Sequence, residues 1–135
     1  MKIFDFGLSK ELDPDNNMAA NGTYEPSSIV GALRYMAPEV FRGEPYNHSV
    51  DTYSFGILLW EMLALEKPYS ELNIDLDGLE REVIRGGLRP PLQDEWPQSI
   101  WEMMCACWSA DLSRRPSMPA VVGTLRQELM SLHHA

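Results

Sequence analysis

The sequence has little positive charge. Of its 135 residues, 11 are Lys or Arg and 20 are Asp or Glu, which gives a formal net charge of −9. Nucleic acids and anionic membrane surfaces are bound by basic patches, but the only adjacent basic pair in the sequence is Arg114-Arg115. We therefore expect that this segment contacts neither nucleic acid nor a membrane.

Cysteines and long apolar runs are also scarce. Cys105 and Cys107 are separated by one residue, so on a helix they point to different faces and favour neither a disulfide nor a metal pair. We expect both to be buried, reduced thiols. The longest apolar stretch, 57–65 with Glu61 inside it, is too short to cross a membrane, and no segment is typical of a signal peptide. These features favour a cytoplasmic location, or the intracellular side of the membrane if the parent protein is a membrane receptor.

The spacing of apolar residues predicts a mainly α fold with a single hydrophobic core. A strand end at 2–4 and a polar loop over 8–30 come first. The helices expected after them begin at Pro38, run over 49–65, run from Asn73 or Asp75 to Ile84, run over 97–108 with Ser99 and Glu102 at capping-box spacing, and run from Ser117 to about Leu132.

Two of these helices carry most of the apolar residues. The helix over 49–65 is apolar all round, which predicts burial on nearly every side. The next to last helix is expected to direct four residues inward, and the last helix has one apolar stripe. The inward residues are Ile100, Met103, Met104 and Cys107, and the stripe is Val121, Val122, Leu125, Leu129 and Leu132.

Four motifs in order along the chain resemble the eukaryotic protein kinases. Asp5-Phe6-Gly7 and Ala37-Pro38-Glu39 enclose a polar stretch, as the boundaries of a kinase activation segment do. The run 51–62 resembles the buried central helix of the family, and 107–116 resembles the motif before its final helix. The resemblance covers essentially all of the chain and implies the helical C-terminal lobe of the protein-kinase-like fold.

This resemblance implies a cofactor site at the start of the chain. Asp5 would hold the Mg²⁺ that bridges the phosphates of ATP, Phe6 would pack into the core, and Gly7 would let the backbone flip. Leu58 and Met62 match positions that support the spine beneath the adenine ring, with Phe6 in the other spine. ATP and Mg²⁺ are therefore the cofactors expected of the intact kinase.

The resemblance also implies how a protein substrate is bound. The segment before Ala37 matches the loop that receives the substrate residue after the phosphorylation site, the P+1 loop. It consists of Gly31, Ala32, Leu33, Arg34 and Tyr35. Arg34-Tyr35-Met36 is similar to the tyrosine-kinase-like serine/threonine group. Ala32, however, stands where serine/threonine kinases usually have Thr, so the choice between serine/threonine and dual specificity stays open.

Other residues match structural and regulatory positions of the family. Glu39 is expected to form a buried ion pair with Arg115, leaving Arg114 in solvent, and Asp51 would bind backbone amides of the catalytic loop. Phosphorylation switches intact kinases within the loop between Gly7 and Gly31. The candidate sites there are Ser27 and Ser28 first, then Thr23.

Much of the machinery for phosphoryl transfer is absent from the sequence. It lacks the Gly-rich loop, the strand Lys, the catalytic Asp and the Asn for a second magnesium. We therefore expect residues 1–135 to be a partial kinase domain, with the activation segment over 1–39 and the helical subdomain over 40–135. Such a chain would be inactive alone and would need the missing N-lobe. The alternative is a truncated, non-catalytic module that acts as a protein-binding or decoy domain.

Overall fold

The computed structural model describes residues 6–7, 9–15, 18–24, 33–70 and 76–133. The strand end predicted at 2–4 and the helix start predicted at Asn73 or Asp75 lie outside these residues. Within them the regular structure is helical, and no strand occurs beyond the isolated bridges of Tyr24 with Met18 and with Tyr46. The predicted mainly α fold class is confirmed.

Five α-helices form the body of the described chain. They are α1 (Pro38–Phe41), α2 (Ser49–Ala64), α3 (Leu76–Leu79), α4 (Gln98–Cys107) and α5 (Met118–His133). Helix α3 continues into a π-helical segment, Glu80–Arg85, and short 3-10 turns cover Leu33–Tyr35 and Leu112–Arg114.

Backbone conformation marks where α2 ends and where α4 begins. Helix α2 stops at Leu65, whose φ of 55° is left-handed and whose N–H donates to the Glu61 carbonyl. Helix α4 follows Pro97, which adopts an extended conformation. The predicted capping box is wrong, because Ser99 lies inside α4 and its hydroxyl donates to the Glu128 carboxylate of α5.

The segment after α3 is wider than the α-helix predicted from the sequence. The Gly86 N–H donates to the Arg81 carbonyl five residues earlier, and the Arg85 side chain pairs with Glu80, also five residues earlier. A Cβ on Gly86 would lie 2.6 Å from the Glu82 carbonyl oxygen. Glycine therefore allows the helix to close tightly at this point.

The core lies where α2 packs on α4. A Cβ on Gly56 would lie 2.7 Å from Cys107 Cβ, so the two helices approach closely at this pair. The residues of α4 predicted to face inward, Ile100, Met103, Met104 and Cys107, are all buried. Both cysteines are free, but Cys105 is exposed. The expectation that both thiols are buried is therefore wrong for Cys105, which lies on the outer face of α4.

Helix α2 is buried on one side only. Tyr53, Ile57 and Trp60 are at most 3% exposed, whereas Leu58 is 36% and Met62 42% exposed. The expectation of burial on nearly every side is wrong for this chain. The reason is that α4 and the segment around the first 3-10 turn cover one face of α2, and no described element covers the face of Leu58 and Met62.

Helix α5 packs through its first half. Val121 is fully buried and Leu125 is half-buried against the core, while Val122, Leu129 and Leu132 are exposed. The predicted stripe therefore meets the core only at Val121 and Leu125, near its N-terminal end. None of the helices in the described ranges is long and apolar enough to cross a membrane.

Candidate functional site

A buried ion pair joins two parts of the described fold that are distant in sequence. Arg115 Nη1 lies 2.5 Å from Glu39 Oε1, and Nη2 lies 2.9 Å from Oε2. Both side chains are almost fully withdrawn from solvent. This is the Glu39–Arg115 pair expected from the sequence, and Arg114 is exposed, as also expected.

Local structure places each partner of this pair. Glu39 follows Pro38, which begins α1 after the extended residue Ala37. Arg115 ends the 3-10 turn that Asp111 caps by accepting a hydrogen bond from the Ser113 N–H. The hydrogen bonds from Ser113 lower the pKa of the Asp111 carboxyl. A short helix and a capped turn thus bring residues distant in sequence into one buried site.

Backbone carbonyls complete the surroundings of Arg115. Its Nε donates to the Ser109 carbonyl at 2.9 Å and its Nη1 to the Ser49 carbonyl at 3.3 Å. Its guanidinium lies 5.1 Å from the ring centroid of Tyr53. Because the buried charges are hydrogen-bonded as well as paired, their desolvation is compensated. The pair therefore fixes the end of the predicted activation segment on the core.

Tyr53 has a second cation on its ring. The Arg89 guanidinium lies 5.2 Å from the Tyr53 centroid, and Arg89 donates to the carbonyls of Val83, Leu88 and Trp108. Burial raises the pKa of Tyr53, and the positive charge of Arg89 partly offsets that rise. The sequence analysis did not identify this role of Arg89.

The segment predicted to be the P+1 loop is fastened to α2 and to the loop after it. Arg34 Nη1 donates to the carbonyls of Pro68 and Tyr69 at 2.9 and 3.3 Å. The Tyr35 hydroxyl donates to Glu61 Oε2 at 2.5 Å, and Ser54 Oγ donates to the Tyr35 carbonyl at 2.8 Å. The backbone of residues 34–35 is therefore held at several points.

Burial raises the pKa of Tyr35 to about 12, and the hydrogen bond to Glu61 contributes to this rise. The tyrosine therefore stays protonated and donates to the carboxylate throughout the neutral range. Sequence analysis missed Glu61 and Ser54 as partners of this loop. Glu61 could have been identified from the sequence, because it is a charged residue within the apolar run of α2 and would need a polar partner there.

The N-terminal described residues do not form a nucleotide site by themselves. Phe6 is 68% exposed, so the expectation that it packs into the core is wrong here, since no described apolar group covers it. Asp5, the predicted Mg²⁺ ligand, lies outside the described residues. Those that are described contain no cluster of three or more His, Cys, Asp or Glu that could hold a metal.

A turn at residues 18–24 occupies part of the predicted polar loop. Tyr24 exchanges two backbone hydrogen bonds with Tyr46 and is buried. Thr23 Oγ1 donates to Asn21 Oδ1 at 2.7 Å. The candidate phosphorylation site Thr23 is therefore half-buried and hydrogen-bonded.

Several predicted site residues cannot be placed. The candidate sites Ser27 and Ser28 and the predicted P+1 residues Gly31 and Ala32 lie outside the described residues. Leu33, the next residue of that loop, is half-buried against the core. The structure therefore bears on the second half of the predicted P+1 loop and not on its first two residues.

Asp51 is exposed in the first turn of α2. Its side chain forms no hydrogen bond or ion pair with any residue that the structure describes. Its binding to backbone amides of the catalytic loop, which the kinase resemblance implies, stays a prediction.

The amino-acid sequence is similar to those of known protein kinases. A family model described as protein tyrosine and serine/threonine kinase matches residues 1–125. A probable serine/threonine-protein kinase of Dictyostelium discoideum is 37% identical over 127 residues, which cover 94% of the chain and 13% of that protein.

Two further relatives show the same relation in length. The dual specificity protein kinase shkB of Dictyostelium discoideum is 36% identical over 121 residues, covering 90% of the chain and 18% of that protein. Human mitogen-activated protein kinase kinase kinase 7 is 37% identical over 122 residues, again covering 90% and 18%. The chain thus spans less than a fifth of the length of each of these relatives.

Proposed function

We propose, since the chain belongs to the family of protein tyrosine and serine/threonine kinases, that it is the helical, substrate-positioning part of a protein serine/threonine kinase. In the longer enzyme the γ-phosphate of ATP would pass to a hydroxyl group of a protein substrate. Residues 1–39 would form the activation segment and residues 40–135 the helical subdomain. The chain alone would not catalyse the transfer.

The observation that carries this proposal is that hydrogen bonds hold residues 34–35 on α2 and on the loop that follows it. Phosphoryl transfer depends on holding the acceptor in line with the phosphate, so the surface that receives the substrate must be rigid. Tyr35 is bonded to Glu61 and Ser54 of α2, and Arg34 is bonded to the loop that follows α2. The Glu39–Arg115 pair fixes the next few residues. Together they support a substrate-binding role for residues 34–35 of the predicted P+1 loop.

The proposed cofactors are ATP and Mg²⁺. Asp5 would hold the metal, which neutralises phosphate charge when bound, and Phe6 and Gly7 would adjoin it. The nucleotide needs groups from elsewhere in a kinase domain as well. In this proposal the chain's own residues orient the protein substrate and contribute one metal ligand.

Regulation is proposed to lie in the segment between Gly7 and Gly31. A phosphate on Ser27 or Ser28 adds negative charge, which orders a loop when a basic side chain is near. Thr23 is the second choice, because its hydroxyl is already bonded to Asn21 and its side chain is half-buried.

A chimera tests the proposed activity. Residues 1–125 would replace the matching segment of human mitogen-activated protein kinase kinase kinase 7, and phosphate incorporation into a protein substrate would be measured. The expected result is activity on Ser and Thr, lost in the chimera carrying Asp5→Asn. A folded chimera with no activity, or one unaffected by Asp5→Asn, contradicts the proposal. Phosphoamino-acid analysis of the product distinguishes serine/threonine from dual specificity.

A second candidate function is a non-catalytic module that binds another protein. The exposed apolar side chains Leu58, Met62 and Leu63 of α2 favour it, because such surfaces are common at protein interfaces. Under this alternative the 135-residue chain binds a partner, and the chimera is inactive. The activity assay therefore distinguishes the two functions.

A further inference from the structure

A half-open cavity of about 160 Å³ lies between the end of α2 and the chain that follows the π-helical segment. Its apolar walls are Trp60, Leu88, Pro90 and Pro91. Trp60 is nearly buried, and its indole N–H donates to the Pro91 carbonyl at 2.6 Å. An apolar cavity of about 150 Å³ in another protein accommodates benzene. This cavity is therefore large enough for one six-membered ring.

The polar lining of the cavity is mostly positive. Lys67 and Arg89 line it together with a single carboxylate, Glu66. Within the described ranges neither Lys67 nor Arg89 has an ion-pair partner. In a chain of net charge −9, two cations without carboxylate partners at one cavity form an unusual local charge. That charge complements an anionic ligand.

Arg89 has hydrogen-bonding capacity to spare. Its Nε and Nη1 donate to carbonyls, but its Nη2 donates to no residue in the described part of the chain. A guanidinium has five N–H donors and binds carboxylates strongly. A carboxylate in the cavity would receive the unused donors of Arg89.

Two buried tyrosines adjoin Arg89 and the cavity. The Arg89 guanidinium lies over the ring of Tyr53, and Tyr69 lines the cavity. Both side chains are almost fully withdrawn from solvent. Burial raises the pKa of both hydroxyls, so they stay protonated and add no negative charge beside the cavity.

We infer that this cavity is a binding site for a free aromatic monocarboxylate with one ring, the size of benzoate. The ring packs between Trp60 and the two prolines, and the carboxylate faces Arg89 and Lys67. This site is separate from the predicted P+1 loop but adjacent to it. Tyr69 lines the cavity, and its carbonyl accepts a hydrogen bond from Arg34 of that loop.

Nuclear magnetic resonance of the 135-residue chain tests the inference with benzoate as the probe. The indole N–H of Trp60 reports on the cavity, and that of Trp101, which donates to the Gln93 carbonyl outside the cavity lining, is an internal control. Benzoate should shift the Trp60 signal saturably, at about millimolar concentration for so small a ligand, and leave Trp101 unchanged. Benzamide lacks the negative charge and acetate lacks the ring, so neither should shift the Trp60 signal.

Substitutions at the rim separate charge recognition from folding. Lys67 is exposed, so Lys67→Gln should keep the fold and weaken benzoate binding by about two- to five-fold. Arg126→Gln removes an exposed positive charge from α5 and should leave binding unchanged.

Several results would overturn the inference. One is the absence of a saturable shift of the Trp60 indole signal with benzoate. Another is an equal shift with benzamide. A third is equal weakening of benzoate binding by Lys67→Gln and Arg126→Gln. N-acetylphenylalanine presents the same two groups on a larger body. Tighter binding of that compound than of benzoate would assign the cavity to a peptide terminus and contradict a site for a free small acid.

Discussion

Arg115 and Glu39, 76 positions apart in the sequence, form a bidentate ion pair that is buried within the described fold. The pair connects the turn before α5 to the first turn of α1. Since α1 directly follows the fastened residues 34–35, the position of the proposed substrate-binding surface depends on a contact with the far end of the chain.

Removing one member of this pair should strongly destabilise the fold. Glu39→Ala leaves the buried Arg115 charge without its partner, and we expect the free energy of unfolding to fall by about 3–5 kcal/mol. Urea denaturation measures this change. Arg114→Ala is the matched control, because Arg114 is exposed and its loss should cost less than about 0.5 kcal/mol. Equal effects of the two substitutions would show that the pair is not buried in solution.

The close approach of α2 and α4 gives a second prediction. In Gly56→Ala the added Cβ would meet Cys107 Cβ at 2.7 Å, so the helices must move apart, at a cost of about 1–3 kcal/mol. In Gly123→Ala, on α5, the added Cβ has no neighbour within 4 Å, and we expect stabilisation by about 0.4–1 kcal/mol. Thermal unfolding of both variants tests the packing. A stabilising Gly56→Ala would contradict it.

Truncation of two adjacent residues of α2 should destabilise the chain to very different extents. Ile57 is fully buried and Leu58 is 36% exposed. Ile57→Ala should therefore cost about 2–5 kcal/mol in the 135-residue chain, and Leu58→Ala less than about 1 kcal/mol.

The same Leu58→Ala should cost more in the kinase chimera described above, where upstream segments can cover this face. An equally small cost in the chimera would show that the face stays open, and would favour the protein-binding alternative. Denaturation of both proteins under one set of conditions makes the comparison.

The hydrogen bond between Tyr35 and Glu61 predicts a dependence of stability on alkaline pH. The pKa of Tyr35 is raised to about 12 in the folded chain, above its ordinary value of 10.0. The contribution of Tyr35 to stability is therefore complete below pH 10 and is lost as the pH rises towards 12. Tyr35→Phe should be less stable than the parent at pH 8, with a difference that shrinks between pH 10 and 12. A difference that stays constant would exclude this linkage.

The sequence predicted the helical fold, the inward residues of α4 and the Glu39–Arg115 pair. The first two follow from apolar spacing, because side chains that recur at helical intervals share a face. The ion pair instead came from the kinase resemblance, since no local pattern joins residues so far apart.

Other features could not be predicted because they depend on tertiary contacts. The exposure of Leu58 and Met62 depends on which neighbours cover α2, and the apolar character of a side chain does not show whether such a neighbour is present. The π-helical segment depends on the close fit of Gly86 to the turn before it. The contacts of Arg34 and Arg89 with backbone carbonyls leave no sequence pattern, because every residue offers a carbonyl.

Steady-state kinetics of the chimera test the central claim, that residues 34–35 held on α2 position the protein substrate. Tyr35→Phe and Glu61→Gln would each be compared with Arg114→Gln, an exposed control in the 3-10 turn before α5. We predict that the two substitutions lower kcat/KM for the peptide substrate by about ten-fold or more while KM for ATP stays unchanged. Unchanged peptide kinetics, or a parallel change in KM for ATP, would contradict the account.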